Sequence, residues 1–316
     1  MVRQVSTPPF VEIPAGTERR ELAVPGGPLA ALWAPAAGVP RGTVVFVPGF
    51  TGSKEDFIAV LAPLQQRGWS VLAYDQRGQY ESPGPDDESA YTVDALGTDL
   101  LTVVAELGAG PVHAVGHSFG GLVLRTAATR SPQAFASVTL LCSGPTGLPA
   151  DQHGPLRRLH GALPTTPLAV IGAIREERDR AAGWVPPSAA VEQFCRDRFV
   201  ANNPWSLRAL ADQLVTTTDS TAALAATLGA VPVHVVYGDG DDVWPTAQQD
   251  QMARVLGVTP VVIAGCGHSP TAELPDTTAA TLDQLWSRSA QDGPATAGPV
   301  QDGPATAGAP APDEQV

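Results

Sequence analysis

The stretch that most constrains the fold runs from Pro111 to Gly121. A β-branched apolar run leads into Gly-His-Ser-Phe-Gly at positions 116–120, and a helix-like pattern follows. This arrangement predicts a strand, a sharp turn and a helix, in which flanking glycines avoid a collision where strand and helix cross. We therefore expect the Ser118 hydroxyl to project from the strand end. The Phe119 amide, in the first helical turn, would face an oxyanion formed there.

Such a pentapeptide is a weak signal in a chain with 32 glycines, so its context decides what it means. Short apolar runs alternate with 10 to 15 residue helical patterns on both sides of the motif, which predicts a doubly wound, mostly parallel α/β sheet. The alternation stops between residues 145 and 227, where helical segments are broken by prolines. We predict an N-terminal surface segment (1–18), a core (19–144 and 228–289), a helical cap insertion (145–227) and a disordered repeat tail (290–316).

Charge and composition exclude several classes of function. A net charge of −13 argues against nucleic acid and anionic membranes as partners, and Arg157-Arg158 is too short to form a basic patch. No apolar run approaches a membrane span and the N-terminus lacks a signal pattern, so we expect a cytoplasmic protein. We expect its partner to be a small-molecule substrate, and we expect the protein to be a monomer or homodimer. Its three cysteines have no metal-type spacing, which predicts neither a disulfide framework nor a metal site.

A serine nucleophile needs a base and a carboxylate that orients it. Among six histidines, His268 stands in a glycine-rich loop after the last strand, whereas the others lie in strand runs, in the insertion or directly before Ser118. His268 is therefore the predicted base. The acid is expected in the 238–245 segment, at the carboxyl end of another strand, where Asp239, Asp241 and Asp242 compete.

These motifs together resemble the α/β-hydrolase superfamily over about residues 20 to 288. The 116–120 elbow is similar to the family's nucleophile motif, Pro48-Gly49-Phe50 to its oxyanion loop, and Asp-Gln-Arg-Gly at 75–78 to its Asp-x-Arg-Gly loop. The Gly-x-x-Asp-x-x-x-Pro pattern of the family falls on 238–245 and selects Asp241, with Asp242 in reserve. The resemblance implies a Ser118-His268-Asp241 triad, an oxyanion hole of the Phe50 and Phe119 amides, and no cofactor or metal.

Two departures from the family pattern, and the identity of the nucleophile, bear on function. Proline replaces the usual histidine at Pro48, which alters the support of the oxyanion loop, and Gln-Tyr-Glu-Ser at 79–82 replaces a common His-Gly-x-Ser. Serine rather than aspartate at 118 argues against the epoxide hydrolase and haloalkane dehalogenase branches.

The resemblance implies a serine hydrolase that cleaves a carboxylic ester or thioester of a small, largely apolar substrate. Amide or carbon–carbon bond hydrolysis, and a receptor of the same fold with little turnover, stay open as alternatives. The predicted substrate pocket is aromatic. Its residues are Trp244 beside the site and Trp184, Phe194, Phe199 and Trp205 from the insertion.

Overall fold

The structure is a computed structural model that describes residues 6–163 and 165–291. Within these residues, eight strands form one sheet in the order β1-β2-β4-β3-β5-β6-β7-β8. The strands β1 and β2 are antiparallel to their neighbours, and all the others pair in parallel. This confirms the predicted fold class. The strands are β1 (Glu18–Val24), β2 (Gly27–Ala34), β3 (Gly42–Val47), β4 (Trp69–Tyr74), β5 (Val112–His117), β6 (Phe135–Leu141), β7 (Val233–Gly238) and β8 (Val261–Ile263).

Helices cover the sheet in two groups. Helix α1 packs against α11, whereas α2, α3, α8 and α9 pack side by side in a second layer. Because helices lie on both sides, β4 and β5 are buried along their whole length, including the polar residues Ser70 and His113. The α-helices are α1 (Ile58–Gln66), α2 (Val93–Leu107), α3 (Phe119–Arg130), α4 (His153–Ala162), α5 (Leu168–Ala181), α6 (Ala189–Ala201), α7 (Pro204–Thr216), α8 (Thr221–Leu228), α9 (Thr246–Leu256), α10 (Pro270–Glu273) and α11 (Pro275–Gln291).

The described part of the chain between β6 and β7 contains helices joined by loops and no strand, in keeping with the loss of alternation in the sequence. An apolar cluster of its own includes Leu168 of α5, Phe199 of α6 and Leu207 of α7. Helix α8 differs, because it packs on α3 and α9 in the layer that covers the sheet. The predicted cap limits of 145–227 therefore include one helix of the core layer.

The two chain ends were predicted to lie outside the core. The described N-terminal segment starts at Ser6, which is buried rather than on the surface, and it joins β1 at Glu18. Helix α11 extends to Gln291, and the rest of the predicted repeat tail lies outside the described residues. None of the described helices is long and apolar enough to cross a membrane.

Candidate active site

Ser118 stands at the sharp turn between β5 and α3, as its motif predicts. Its backbone has φ 56° and ψ −123°, a conformation that is strained for any residue with a Cβ atom. The two motif glycines make this turn possible. A Cβ atom on Gly116 would lie 2.5 Å from the Gly120 carbonyl oxygen, and one on Gly120 would lie 2.2 Å from the Val47 carbonyl oxygen.

His268 and Asp241 meet at the same edge of the sheet, because both follow the carboxyl ends of parallel strands. The Nδ1 atom of His268 lies 2.9 Å from Asp241 Oδ1, and the carboxylate is fully shielded from solvent. Asp241 follows β7 and His268 follows β8, while Ser118 follows β5. Both Ser118 and His268 line one cavity. The remaining ring nitrogen of His268, Nε2, is thus the one available to a group in this cavity.

Four donors hold the Asp241 carboxylate. Its Oδ1 accepts hydrogen bonds from the amides of Val243 (3.0 Å) and Trp244 (3.3 Å) besides His268, and its Oδ2 accepts one from Gln249 Nε2 at 2.8 Å. Burial alone would raise the pKa of Asp241, but the hydrogen bonds and the charge of His268 bring it below its ordinary value. The carboxylate is therefore ionised and fixed in orientation. Sequence reasoning missed Gln249, whose only signal is its place in α9 after the aspartate loop.

The other two candidate aspartates have different surroundings. Asp239 accepts a hydrogen bond from the Gly265 amide at 2.8 Å and so supports the loop that carries His268. Asp242 is exposed. Of the three carboxylates, Asp241 is the one that contacts the imidazole.

The loop with Phe50 packs directly on the elbow. A Cβ atom on Gly49 would lie 2.9 Å from Ser118 Cβ, so only glycine allows this approach. Two buried glutamines hold the loop's carbonyl groups: Gln76 Nε2 donates to the Pro48 oxygen (2.8 Å) and Gln79 Nε2 to the Gly49 oxygen (2.9 Å). Gln79, one of the departures from the family pattern, thus supports the loop that begins with the other departure, Pro48. The Phe119 amide begins α3 next to Ser118.

His117 also belongs to the site, although the sequence analysis set it aside as the residue directly before Ser118. Its Nε2 lies 2.8 Å from the backbone oxygen of His268, and it lines the same cavity. Burial, together with the neighbouring His268, lowers the pKa of His117 to about 3. The ring is therefore neutral at pH 7 and donates its Nε2 proton to the histidine loop.

The cavity above Ser118 has a volume of about 40 Å³, enough for a few water-sized groups. Of the predicted pocket aromatics, Trp244 lines it, and Phe50 contributes its side of the oxyanion loop. Four aliphatic residues missed by sequence reasoning complete its apolar wall. They are Leu148, Leu156, Leu214 and Val243. Ser6 and Asp56 form a polar part of the lining.

The four insertion aromatics lie elsewhere, and none is among the cavity-lining residues in the described part of the chain. Phe199 packs in the apolar cluster of the insertion, and Phe194 contacts the Tyr80 ring edge to face at 5.5 Å between centroids. Trp205 is 38% exposed under the Arg208 guanidinium, and Trp184 is partly exposed after α5. Their positions thus reflect packing within the insertion and, for Phe194, against Tyr80 of the core.

Among the described residues, one group has side chains close enough to hold a metal ion: Cys142, Asp241 and His268, with ligand atoms within 4.8 Å of one another. Burial raises the pKa of the Cys142 thiol well above its usual value, so it does not offer a thiolate. The other two residues are joined by their own hydrogen bond. The donor set therefore fits a histidine-carboxylate pair better than a metal centre.

Comparisons with known proteins concern the family and the fold. The model of the alpha/beta hydrolase family matches residues 44–281. Epoxide hydrolase A of Mycobacterium tuberculosis is 25% identical over 79% of this chain and 92% of its own. The sn-1-specific diacylglycerol lipase ABHD11 of Mus musculus is 32% identical over 111 residues, 35% of each chain. The chain spans about a third of the length of the curated relatives that it matches at 32–33% identity. A thermophilic esterase from Thermogutta terrifontis superposes with a TM-score of 0.66 at 22% identity, covering 86% of this chain and 99% of its own.

Proposed function

This chain belongs to the α/β-hydrolase family, and from that premise we propose that it is a serine hydrolase of carboxylic esters or thioesters with small, largely apolar acyl groups. The observation that carries the proposal is the hydrogen bond of 2.9 Å between His268 Nδ1 and Asp241 Oδ1, at a cavity that Ser118 shares. A strained serine, an imidazole oriented by an ionised carboxylate and two nearby amides are the parts that acyl transfer requires.

In the proposed mechanism, Ser118 Oγ attacks the acyl carbon while His268 Nε2 takes the hydroxyl proton. Asp241 accepts from Nδ1, which keeps the free lone pair on Nε2 and stabilises the imidazolium formed. The amides of Phe50 and Phe119 donate to the oxyanion of the tetrahedral intermediate. Collapse expels the alcohol or thiol, which receives the proton from His268, and leaves an acyl group on Ser118. Water then repeats the sequence, releases the acid and restores the serine.

The epoxide hydrolase among the relatives suggests another reaction, but the residue at the elbow argues against it. An aspartate nucleophile leaves an ester that water can hydrolyse, whereas serine attack on an epoxide would leave a stable ether. Serine at 118 therefore suits an acyl substrate. The apolar lining favours apolar acyl groups over charged ones, since each buried CH₂ contributes about 0.8 kcal/mol.

The test combines covalent labelling with turnover. A fluorophosphonate probe should label the chain, p-nitrophenyl acetate and butyrate should be hydrolysed with multiple turnovers, and Ser118→Ala should lose both while remaining folded. A decrease in kcat on the order of 10⁶ is expected, because residues of such a triad act as a unit. Ser143→Ala, which alters another buried serine near the elbow, is the matched control. Labelling that persists in Ser118→Ala would refute the proposal, and labelling without turnover would favour a receptor.

A further inference from the structure

The segment before β1, residues 6–17, crosses from the first strand to the candidate active site. We call it the N-terminal strap. Ile13 packs against the main core, and the Gly16 carbonyl accepts a hydrogen bond from Gln65 at 3.4 Å. Toward its start, Ser6 and Pro8 are buried. The strap is therefore attached along its length and reaches the cavity at Ser6.

Ser6 contacts the loop that carries the predicted base. Ser6 is 8% exposed and lines the cavity together with Ser118 and His268. The Ser6 Oγ lies 2.7 Å from the Oγ of Ser269, the residue directly after His268. A residue 263 positions away in sequence thus forms part of the wall beside the imidazole.

The backbone of Ser6 contacts the insertion. Its carbonyl oxygen accepts a hydrogen bond of 2.6 Å from Nη2 of Arg198, a fully buried residue of α6. The same guanidinium donates through Nη1 to Asp56 Oδ1 at 2.6 Å, and Asp56 also lines the cavity. Because Arg198 neutralises Asp56, this polar part of the wall has no net charge. Ser6 thus contacts the histidine loop through Ser269 and the insertion through Arg198. Arg198 in turn connects it to Asp56, in the segment after the oxyanion loop.

We propose that Ser6 determines acyl-group size, with the strap acting as the wall that closes the cavity toward α6. This inference rests on the proposed function and defines its substrate class as esters or thioesters of short acyl groups, about acetyl to butyryl in size. A longer acyl chain would have to displace Ser6 and break its bonds to Arg198 and Ser269. Removing the start of the strap should open the cavity along α6 without altering Ser118, His268 or Asp241.

The experiment measures a ratio of activities. For the full chain, kcat/KM for p-nitrophenyl acetate, butyrate and octanoate should fall beyond butyrate. Deletion of residues 2–9 should raise the octanoate-to-acetate ratio at least about tenfold, since each CH₂ that becomes buried contributes about fourfold. Ser6→Leu adds volume at the wall, so it should lower the butyrate-to-acetate ratio severalfold. The control is Ser89→Leu, at an exposed serine whose hydroxyl bonds Asp87, and it should leave both ratios unchanged.

The outcomes separate this inference from the proposed function. A deletion variant that is folded by circular dichroism but keeps the ratio of the full chain would overturn the role of the strap. If the deletion variant does not fold, Ser6→Leu decides, because ratios equal to those of Ser89→Leu would also overturn it. Absence of both labelling and turnover in the full chain would instead refute the proposed function, and this inference with it.

Discussion

The substitution Asp241→Asn tests which carboxylate orients the imidazole. In the structure, Oδ1 of Asp241 receives three donors, His268 Nδ1 and the amides of Val243 and Trp244, and Oδ2 receives Gln249 Nε2. A carboxamide of the same shape offers one oxygen and one NH₂ group to this all-donor environment. In either orientation of the carboxamide, its NH₂ group, which is a hydrogen-bond donor, must therefore face donors of the protein.

Both orientations of the new amide impair the site. With nitrogen toward His268, the two backbone amides lose their acceptor and the imidazole is driven to the tautomer protonated on Nε2, which cannot act as base. With oxygen toward His268, the nitrogen faces Gln249, which must turn over and give up its bond to the Trp244 carbonyl (3.2 Å). The charge that stabilises the imidazolium is lost in both cases. We expect kcat to fall on the order of 10⁴, equivalent to about 5 kcal/mol of transition-state stabilisation.

The assay is steady-state hydrolysis of p-nitrophenyl butyrate by Asp241→Asn and by Asp242→Asn, with folding checked by thermal unfolding. The exposed Asp242 should tolerate the change with less than about a threefold loss, because surface substitutions seldom perturb the structure. A larger loss in Asp242→Asn than in Asp241→Asn would refute the assignment of the acid.

Two further perturbations test the surroundings of the site and the core. Gln79→Ala removes one of the two hydrogen bonds to the buried Gly49 carbonyl, whose other donor is the Gly52 amide at 3.1 Å. It should lower the free energy of unfolding by about 0.5–1.5 kcal/mol and reduce kcat, whereas the exposed Gln193→Ala should do neither in denaturant titrations and ester assays. Burial, with a smaller effect of nearby His234, lowers the pKa of His113 to about 4 from the ordinary 6.5, so its contribution to stability is present above pH 6.5 and is lost as pH falls through 4. Over that interval this residue should lower the free energy of unfolding of the wild-type chain by about 3 kcal/mol. Urea titrations of His113→Gln should show a smaller decrease in this free energy between the two pH values. An equal decrease would mean that His113 is protonated in the fold.

Local chemistry was enough to predict much of the fold and part of the candidate site. Alternation of apolar runs and helical patterns predicted the doubly wound sheet. A strand buried on both faces gives a short continuous apolar run, whereas a helix with one buried face repeats its apolar residues every three to four positions. Glycines at 116 and 120 predicted the elbow. A turn this tight leaves no room for a Cβ atom at these positions, and the sequence itself shows where Cβ atoms are absent. His268 followed from its place after the last strand. Asp241 followed from a motif, and its hydrogen bond to His268 agrees with that choice.

What surrounds the site was decided by tertiary structure alone. Gln249, Gln79 and Ser6 act on groups 8, 30 and 263 residues away, and their own neighbourhoods in sequence do not show which groups they contact. The same holds for the cavity wall, where the insertion contributes aliphatic residues such as Leu156 while Phe199 packs into its own cluster. An aromatic side chain is apolar at any position, so the sequence predicts that it will be buried. The sequence does not predict which residues it will pack against. The contacts that define a pocket depend on how distant segments meet, and that is settled only when the chain has folded.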